Sequence, residues 1–279
     1  AARAGLRAPL VWHVHDFVGN RRLTGRLLRW SRSRVAAVVA NSRAVADDVR
    51  AVVGGDVRVA AVHNAVDLAR FAPEGPRADL DRLAGMEPAA LGTVRVGLVA
   101  TYARWKGHDV FLRALARQSA MVRGYVVGGA VYQTEGSQLT TDELRRSVEE
   151  LGLKGRVGFT GFVGRADEVY RALDVVVHAS TAPEPFGLVI AEAMACGRAV
   201  VMSRAGGAAE LVTPDVDALA CPPGDVDAIA AAIHGLAADA GRRDLLGRAA
   251  RASAERAFNR DRLARELIAV YEAAVSTRS

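Results

Sequence analysis

Apolar residues in this chain fall into short unbroken runs separated by stretches of helical spacing. Residues 9–15 (PLVWHVH) and 36–40 (AAVVA) read as buried strands, with a basic stretch of helical period at 23–30 between them. A third short strand is predicted over 57–62, after a Gly54-Gly55 turn. Residues 73–91 are rich in Pro, Gly and charge, have no clear apolar period, and are the best linker candidate. From Val94 the alternation becomes regular. Strands are predicted at 94–100, 124–128, 157–160, 175–178 and 199–203, and helices at 107–118, 140–151, 166–173, 187–196 and 226–237. Leu263, Leu267, Val270, Tyr271 and Ala274 recur at helical spacing and make 260–274 a final helix. Strands interleaved with helices of about ten residues imply βαβ units and a parallel sheet covered on both faces, a doubly wound α/β domain.

Composition supports a folded chain: of 279 residues, 51% are hydrophobic and 24% charged, which excludes disorder. Aromatics are only 5%, so the core must be built chiefly from Ala, Val and Leu, as suits helices packed closely on buried parallel strands. The net charge of +6 is almost wholly arginine, because Lys106 and Lys154 are the only lysines. Such a balance suits anionic partners in general, and sequence charge alone does not separate nucleotide, lipid headgroup and nucleic acid. The chain has no aromatic-basic stacking surface, so nucleic acid ranks last. Cys196 and Cys221 form neither a CxxC nor a zinc-type cluster, which fits a reducing cytoplasm. No apolar run approaches membrane-spanning length, so any membrane contact is expected to be peripheral.

The most informative stretch is residues 180–197, STAPEPFGLVIAEAMACG. It starts just past the C-terminal end of the strand at 175–178, where ligands bind in open parallel sheets. The Pro-Glu-Pro-Phe-Gly turn opens a helix whose first amides have no acceptor within it, and the helix dipole favours an anion there. Gly187, Leu188 and Val189 are therefore candidates to hold a diphosphate through backbone N–H groups, with Gly187 allowing close approach. Glu184 lies in the loop above, and Glu192 one and a half turns into the helix on the face of Leu188. Two carboxylates beside a phosphate would repel it if they pointed inward, so they are expected to reach hydroxyls, one on a sugar and one on a ribose.

The spacing of Glu184 and Glu192 resembles the E-x7-E motif of family 4 glycosyltransferases. It is followed, as in that family, by a GG-x-x-E segment, here Gly206-Gly207-Ala208-Ala209-Glu210. Asn64-Ala65-Val66-Asp67, Trp105-Lys106-Gly107, Thr160-Gly161-Phe162 and Pro222-Pro223-Gly224-Asp225 extend the resemblance in order from about Val11 onward. The resemblance implies a GT-B fold: a complete Rossmann-like C-terminal donor domain with a parallel sheet, plus a partial Rossmann-like N-terminal domain. It divides the chain into residues 1–72, 73–258 and a helix at 259–279 returning toward the first part. Such enzymes begin with a further strand and Gly-rich loop upstream, so the acceptor lobe is expected to be incomplete.

The same resemblance implies a retaining hexosyl transfer from a UDP- or GDP-sugar to a hydroxyl acceptor, independent of metal and without a separate cofactor. Glu184, Phe186, Gly187 and Leu188 would contact the donor sugar and diphosphate, Glu192 the ribose, and Lys106 the leaving diphosphate. The turn at Gly161, Phe162 and Val163 would lie against the base. His15 would help position the sugar from the acceptor lobe. The family pairs such a lysine with an arginine five residues earlier, where this sequence has Thr101; Arg104 is the candidate for a shifted replacement. Other readings of these residues are a glycosidase acid and nucleophile at Glu184 and Glu192, a metal site at His13 and His15 lacking further ligands, and a nucleotide-sugar-binding remnant without catalysis. Leu23, Leu27 and Trp30 share one side of the basic stretch, a pattern suited either to anionic lipid or to packing on the lobe itself.

Overall fold

A computed structural model of the chain describes residues 8–54, 57–130 and 137–276. Its first sheet comprises β1 (Leu10–Val14), β2 (Val35–Ala40) and β3 (Val59–Ala61), parallel and in that order. α1 (Arg22–Ser31) and α2 (Arg43–Val53) connect these strands. α2 was not evident from the apolar pattern, yet its local chemistry specifies it. Ser42 caps it by accepting from the Val45 amide, and Val45, Ala46, Val49 and Val53 form its buried stripe. The predicted turn before β3 is described only at Gly54, since Gly55 lies outside the described residues.

The second sheet has six parallel strands in the order β6-β5-β4-β7-β8-β9. They are β4 (Val94–Val99), β5 (Val122–Val127), β6 (Val157–Gly161), β7 (Val175–His178), β8 (Ala199–Ser203) and β9 (Leu219–Cys221). Its helices are α4 (His108–Ala116), α5 (Thr141–Glu150), α6 (Ala166–Ala172), α7 (Leu188–Ala195), α8 (Val226–Ala238) and α9 (Ala240–Ala257), with α3 (Leu80–Leu83) preceding the sheet. Strand alternation puts Val175 and Val177 in the core cluster with Phe111, Leu115 and Ile229, while Val176 joins Ile190, Met194 and Ala250 on the other face. Each fully buried Val or Leu stabilises the lobe by roughly 1.5–3 kcal/mol.

Within residues 73–91, the linker candidate, Leu80 is buried in the second lobe's core beside Val66 and Phe71, which precede the segment. Two buried carboxylates fasten the same segment. Asp81 accepts from Arg123 and Tyr125, and Asp167 pairs with Arg171, whose guanidinium donates to the carbonyls of Pro76 and Arg70. Burial raises the Asp81 pKa, but these hydrogen bonds outweigh it and bring it down to about 2. α10 (Arg260–Ser276) follows the large lobe and packs on β2, with Tyr271 hydrogen bonded to His13 at 2.8 Å.

Candidate functional site

In the larger sheet, β4 is flanked by β5 on one side and β7 on the other, so chain direction across the sheet reverses at β4 and β7. The crevice beyond the C-terminal ends of two such strands is where open α/β sheets hold ligands. Lys106 follows β4, and Glu184 follows β7. The Thr181 amide donates to the Trp105 carbonyl at 2.8 Å, tying the two loops together.

Lys106 Nζ lies 2.9 Å from Oε1 and 2.8 Å from Oε2 of Glu184, and 4.0 Å above the Trp105 ring. Glu184 is buried, and its Oε2 also accepts from Ser180 Oγ at 3.1 Å and His178 Nε2 at 3.2 Å. His178 Nδ1 has no partner, which assigns the ring proton to Nε2. Burial would raise the Glu184 pKa; the His178 hydrogen bond and the Lys106 ammonium outweigh that and hold it at about 2. The carboxylate is therefore ionised at any physiological pH.

This pair sits in a cavity of about 710 Å³ lined on the large-lobe side by Thr101, Trp105, Lys106, Gln138 and Glu184, and on the small-lobe side by Asp16, Phe17 and Asn20. His15 is exposed next to these small-lobe residues, and its carbonyl accepts from Asn41 Nδ2 at 3.2 Å. Thr101 faces the cavity, whereas Arg104 is drawn to Glu143 on α5 at 2.8 Å and is not among the cavity's lining residues. Its guanidinium thus reaches the capping box at the start of α5.

At the start of α7, Gly187 has φ 97° and the helix has no side-chain cap, leaving its first amides without help from a neighbouring side chain. The glycine has another reason than close approach of an anion. A Cβ there would meet Ile190 at 3.1 Å and Ala208 at 3.4 Å, so the bare face of Gly187 is turned into packed side chains. Phe186 likewise points inward, 5.8 Å from the His63 ring and 6.2 Å from Phe258, which leaves only its backbone for a ligand. Leu188 is exposed and Val189 half-buried.

Glu192 is half-buried on the Leu188 face of α7 and accepts from Tyr170 Oη at 2.9 Å. Burial raises its pKa, against the opposing pull of the Tyr170 hydrogen bond and the Arg70 charge. At the end of β6, Gly161 has φ 69°, and beyond it Phe162 is 80% exposed and Val163 packs on the core. Neither Glu192 nor residues 161–163 line the cavity that holds Lys106 and Glu184, so the structure divides the candidate residues into two groups. Sequence reasoning missed His178 and Ser180, although both lie within six residues of Glu184, and Tyr170, Arg70, Asp16 and Asn20, which only the fold brings to the site. Among the described residues, no three His, Cys, Asp or Glu side chains are arranged to hold a metal ion.

Two parallel α/β lobes facing each other across a cavity at a strand-order reversal are the GT-B architecture. The chain belongs to the group 1 glycosyltransferases: a family profile described as "Glycosyl transferases group 1" matches residues 93–239, and one described as "Glycosyltransferase Family 4" matches residues 1–70. A D-inositol 3-phosphate glycosyltransferase of Mycobacterium ulcerans is 37% identical over 182 residues, covering 64% of this chain and 37% of that protein. One from Xylanimonas cellulosilytica is 36% identical over 214 residues, covering 73% of this chain and 49% of the relative. The chain thus spans half or less of these relatives' length. Among solved structures, Anabaena Alr3699/HepE in complex with UDP and glucose superposes with TM-score 0.84 at 30% identity, covering 95% of this chain and 72% of that one. Sucrose-phosphate synthase from Thermosynechococcus elongatus gives TM-score 0.80 at 26% identity, covering 96% and 68%.

Proposed function

We propose that this chain supplies the donor-binding lobe and part of the acceptor lobe of a retaining glycosyltransferase that moves a hexose from a UDP-sugar to a hydroxyl acceptor. One observation carries the reading: Lys106 and Glu184 neutralise each other at the switch point, beside an uncapped helix N-terminus. A diphosphate at the start of α7 competes with Glu184 for Lys106, and the released carboxylate accepts from a sugar hydroxyl. As the bond between the anomeric carbon and the phosphate oxygen breaks, negative charge grows on the leaving diphosphate, where Lys106 and the α7 amides stabilise it. The acceptor oxygen bonds to the same face while the leaving phosphate takes its proton, so configuration is retained without a metal ion.

Glu192, held by Tyr170, takes the ribose; residues 161–163 lie beside the base, and His15 steadies the sugar from the small lobe. UDP is preferred to GDP in this reading because the Anabaena protein was solved with UDP and with UDP-glucose. A polyol hydroxyl as acceptor is supported by the D-inositol 3-phosphate relatives. Leu23, Leu27 and Trp30 are 76%, 63% and 62% exposed along one side of α1, with Arg26 and Arg29 on the same helix. An anionic membrane surface fits that face, and no helix among the described residues is long and apolar enough to cross a membrane. Binding to phosphatidylglycerol vesicles should fall in Leu27→Ser; unaltered binding would remove this partner.

Calorimetry with UDP, GDP and ADP sugars tests the donor, and release of glucose from UDP-glucose tests the chemistry. Failure of all three nucleotides to bind refutes the reading. Binding of UDP without turnover would select instead a nucleotide-sugar-binding chain that is not catalytic.

A further inference from the structure

Glu210 ends the GG-x-x-E segment, and the transfer scheme above gives it no task. It lies on a short 3-10 turn, Gly207–Glu210, of the larger lobe, yet its carboxylate crosses to the smaller one. Oε2 accepts from the Arg43 amide at 2.9 Å and Oε1 from the Ala44 amide at 2.8 Å. These are the first two amides of α2, whose own cap, Ser42, serves only the Val45 amide. His63 Nε2 lies 2.9 Å from the same carboxylate and the Arg43 guanidinium 3.3 Å away. An anion at a helix N-terminus with two backbone donors is a favourable, directional contact. Here it joins two lobes.

The same turn also grips the loop of Glu184. The Gly207 amide donates to the Glu184 carbonyl at 2.7 Å, and the Glu184 amide to the Ala205 carbonyl at 3.4 Å. A Cβ on Gly207 would lie 2.0 Å from the Pro185 carbonyl oxygen and 2.7 Å from Ser42, so only glycine lets turn, loop and small lobe meet here. On the other side, Asn41 precedes the α2 cap and holds the end of β1: its amide donates to the Val14 carbonyl at 3.2 Å and its Nδ2 to the His15 carbonyl at 3.2 Å. Asp16 and Phe17, the next residues, form the small-lobe wall of the cavity. A continuous set of bonds thus runs from the Glu184 backbone through Gly207 and Glu210 to α2, Asn41 and the opposite wall.

We propose that Glu210 is a positioning residue whose carboxylate fixes the spacing of the two cavity walls, holding Asp16 and Phe17 opposite Lys106 and Glu184. Its effect on turnover rests on the transfer reading; its effect on lobe geometry does not. The experiment uses the full chain with spin labels on Arg50→Cys and Arg146→Cys, exposed positions on α2 and α5, in the background of Glu210, Glu210→Ala and Glu210→Gln. Expected for Glu210→Ala are a broadened interlobe distance and about tenfold faster hydrogen exchange at residues 43 and 44, with Glu210→Gln intermediate because its amide keeps one acceptor oxygen. UDP affinity should stay within about twofold, because the proposed nucleotide contacts lie in the large lobe, while UDP-glucose turnover falls about tenfold.

An unchanged distance and unchanged exchange in both variants would overturn the proposal. So would a loss of UDP affinity matching the loss of turnover, which marks general damage rather than misplacement. If Glu210→Ala does not fold, Glu210→Gln decides by the same distance and exchange readings. Should the parent chain turn over no UDP-glucose, the transfer reading fails by itself, and the distance and exchange readings still decide the role of Glu210.

Discussion

Replacing Glu184 with glutamine keeps the side chain's shape and removes its charge, leaving Lys106 in the cavity with a neutral partner. The pKa of Glu184 is lowered from 4.5 to about 2. At about 1.4 kcal/mol per unit, the ionised carboxylate contributes about 3 kcal/mol at neutral pH. The side chain is nearly enclosed, so solvent screening removes little of this. The sign follows from proton binding. As pH falls, the unfolded chain takes up the proton near 4.5 and the folded chain only near 2, so the contribution is complete above about 4.5 and gone by about 2. Glu184→Gln should therefore melt roughly 6–12 °C lower at pH 7, and the gap should close as pH falls through that window. UDP gives the decisive arm. If Lys106 exchanges Glu184 for a diphosphate, UDP supplies the variant with the anion it lacks, and saturating UDP should raise the variant's melting temperature by several degrees more than the parent's. An equal rise in both proteins would show that Lys106 does not change partners, and the scheme built on that exchange would be refuted.

Lys106→Ala should lower UDP-glucose turnover by about 10² to 10³ with the fold intact by circular dichroism, and an unchanged rate would take Lys106 out of the chemistry. Glu192→Ala should weaken UDP binding about tenfold or more by calorimetry while leaving stability nearly unaltered. His108 is fully buried, neither ring nitrogen has a partner, and burial, helped by Lys106, lowers its pKa to about 4. The unfolded chain then binds its proton first as pH drops, so about 3 kcal/mol should be lost between pH 6.5 and 4. His108→Phe should flatten that slope in urea titrations. Asp167→Ala strands Arg171 without its carboxylate and should cost about 3–5 kcal/mol of stability, read from the denaturation midpoint.

What the sequence discloses here depends on how local the cause is. The valine-rich runs of β4, β7 and β8 are legible because strands covered on both faces are apolar along most of their length. α9 was not, because its buried stripe of Leu246, Gly247, Ala250, Ser253 and Ala254 is made mostly of small residues that carry no hydrophobic period. Its glycine is there for contact: a Cβ on Gly247 would lie 2.3 Å from the Gly197 carbonyl oxygen. In the site, Lys106 and Glu184 could be named from their motifs, but their mutual pairing could not, since it joins residues 78 apart in the chain. Gly187 was legible as a necessary glycine, while its φ of 97° and its packing on Ile190 and Ala208 were not. Arg104 was named by proximity in sequence, and its bond to Glu143, which also closes the capping box with Thr140, was not legible because it joins residues distant in the chain.

The small sheet draws on both halves of the chain: β1 to β3 come early, and α10, the last described helix, packs on β2 while Arg262 donates to the carbonyls of His63 and Asn64. During synthesis, the early strands therefore leave the ribosome long before the helix that covers one of them. That lobe can reach its final form only after α10 has cleared the ribosome. A chain ending at residue 258 would carry all six strands of the larger sheet while β2 lacked the helix that covers it.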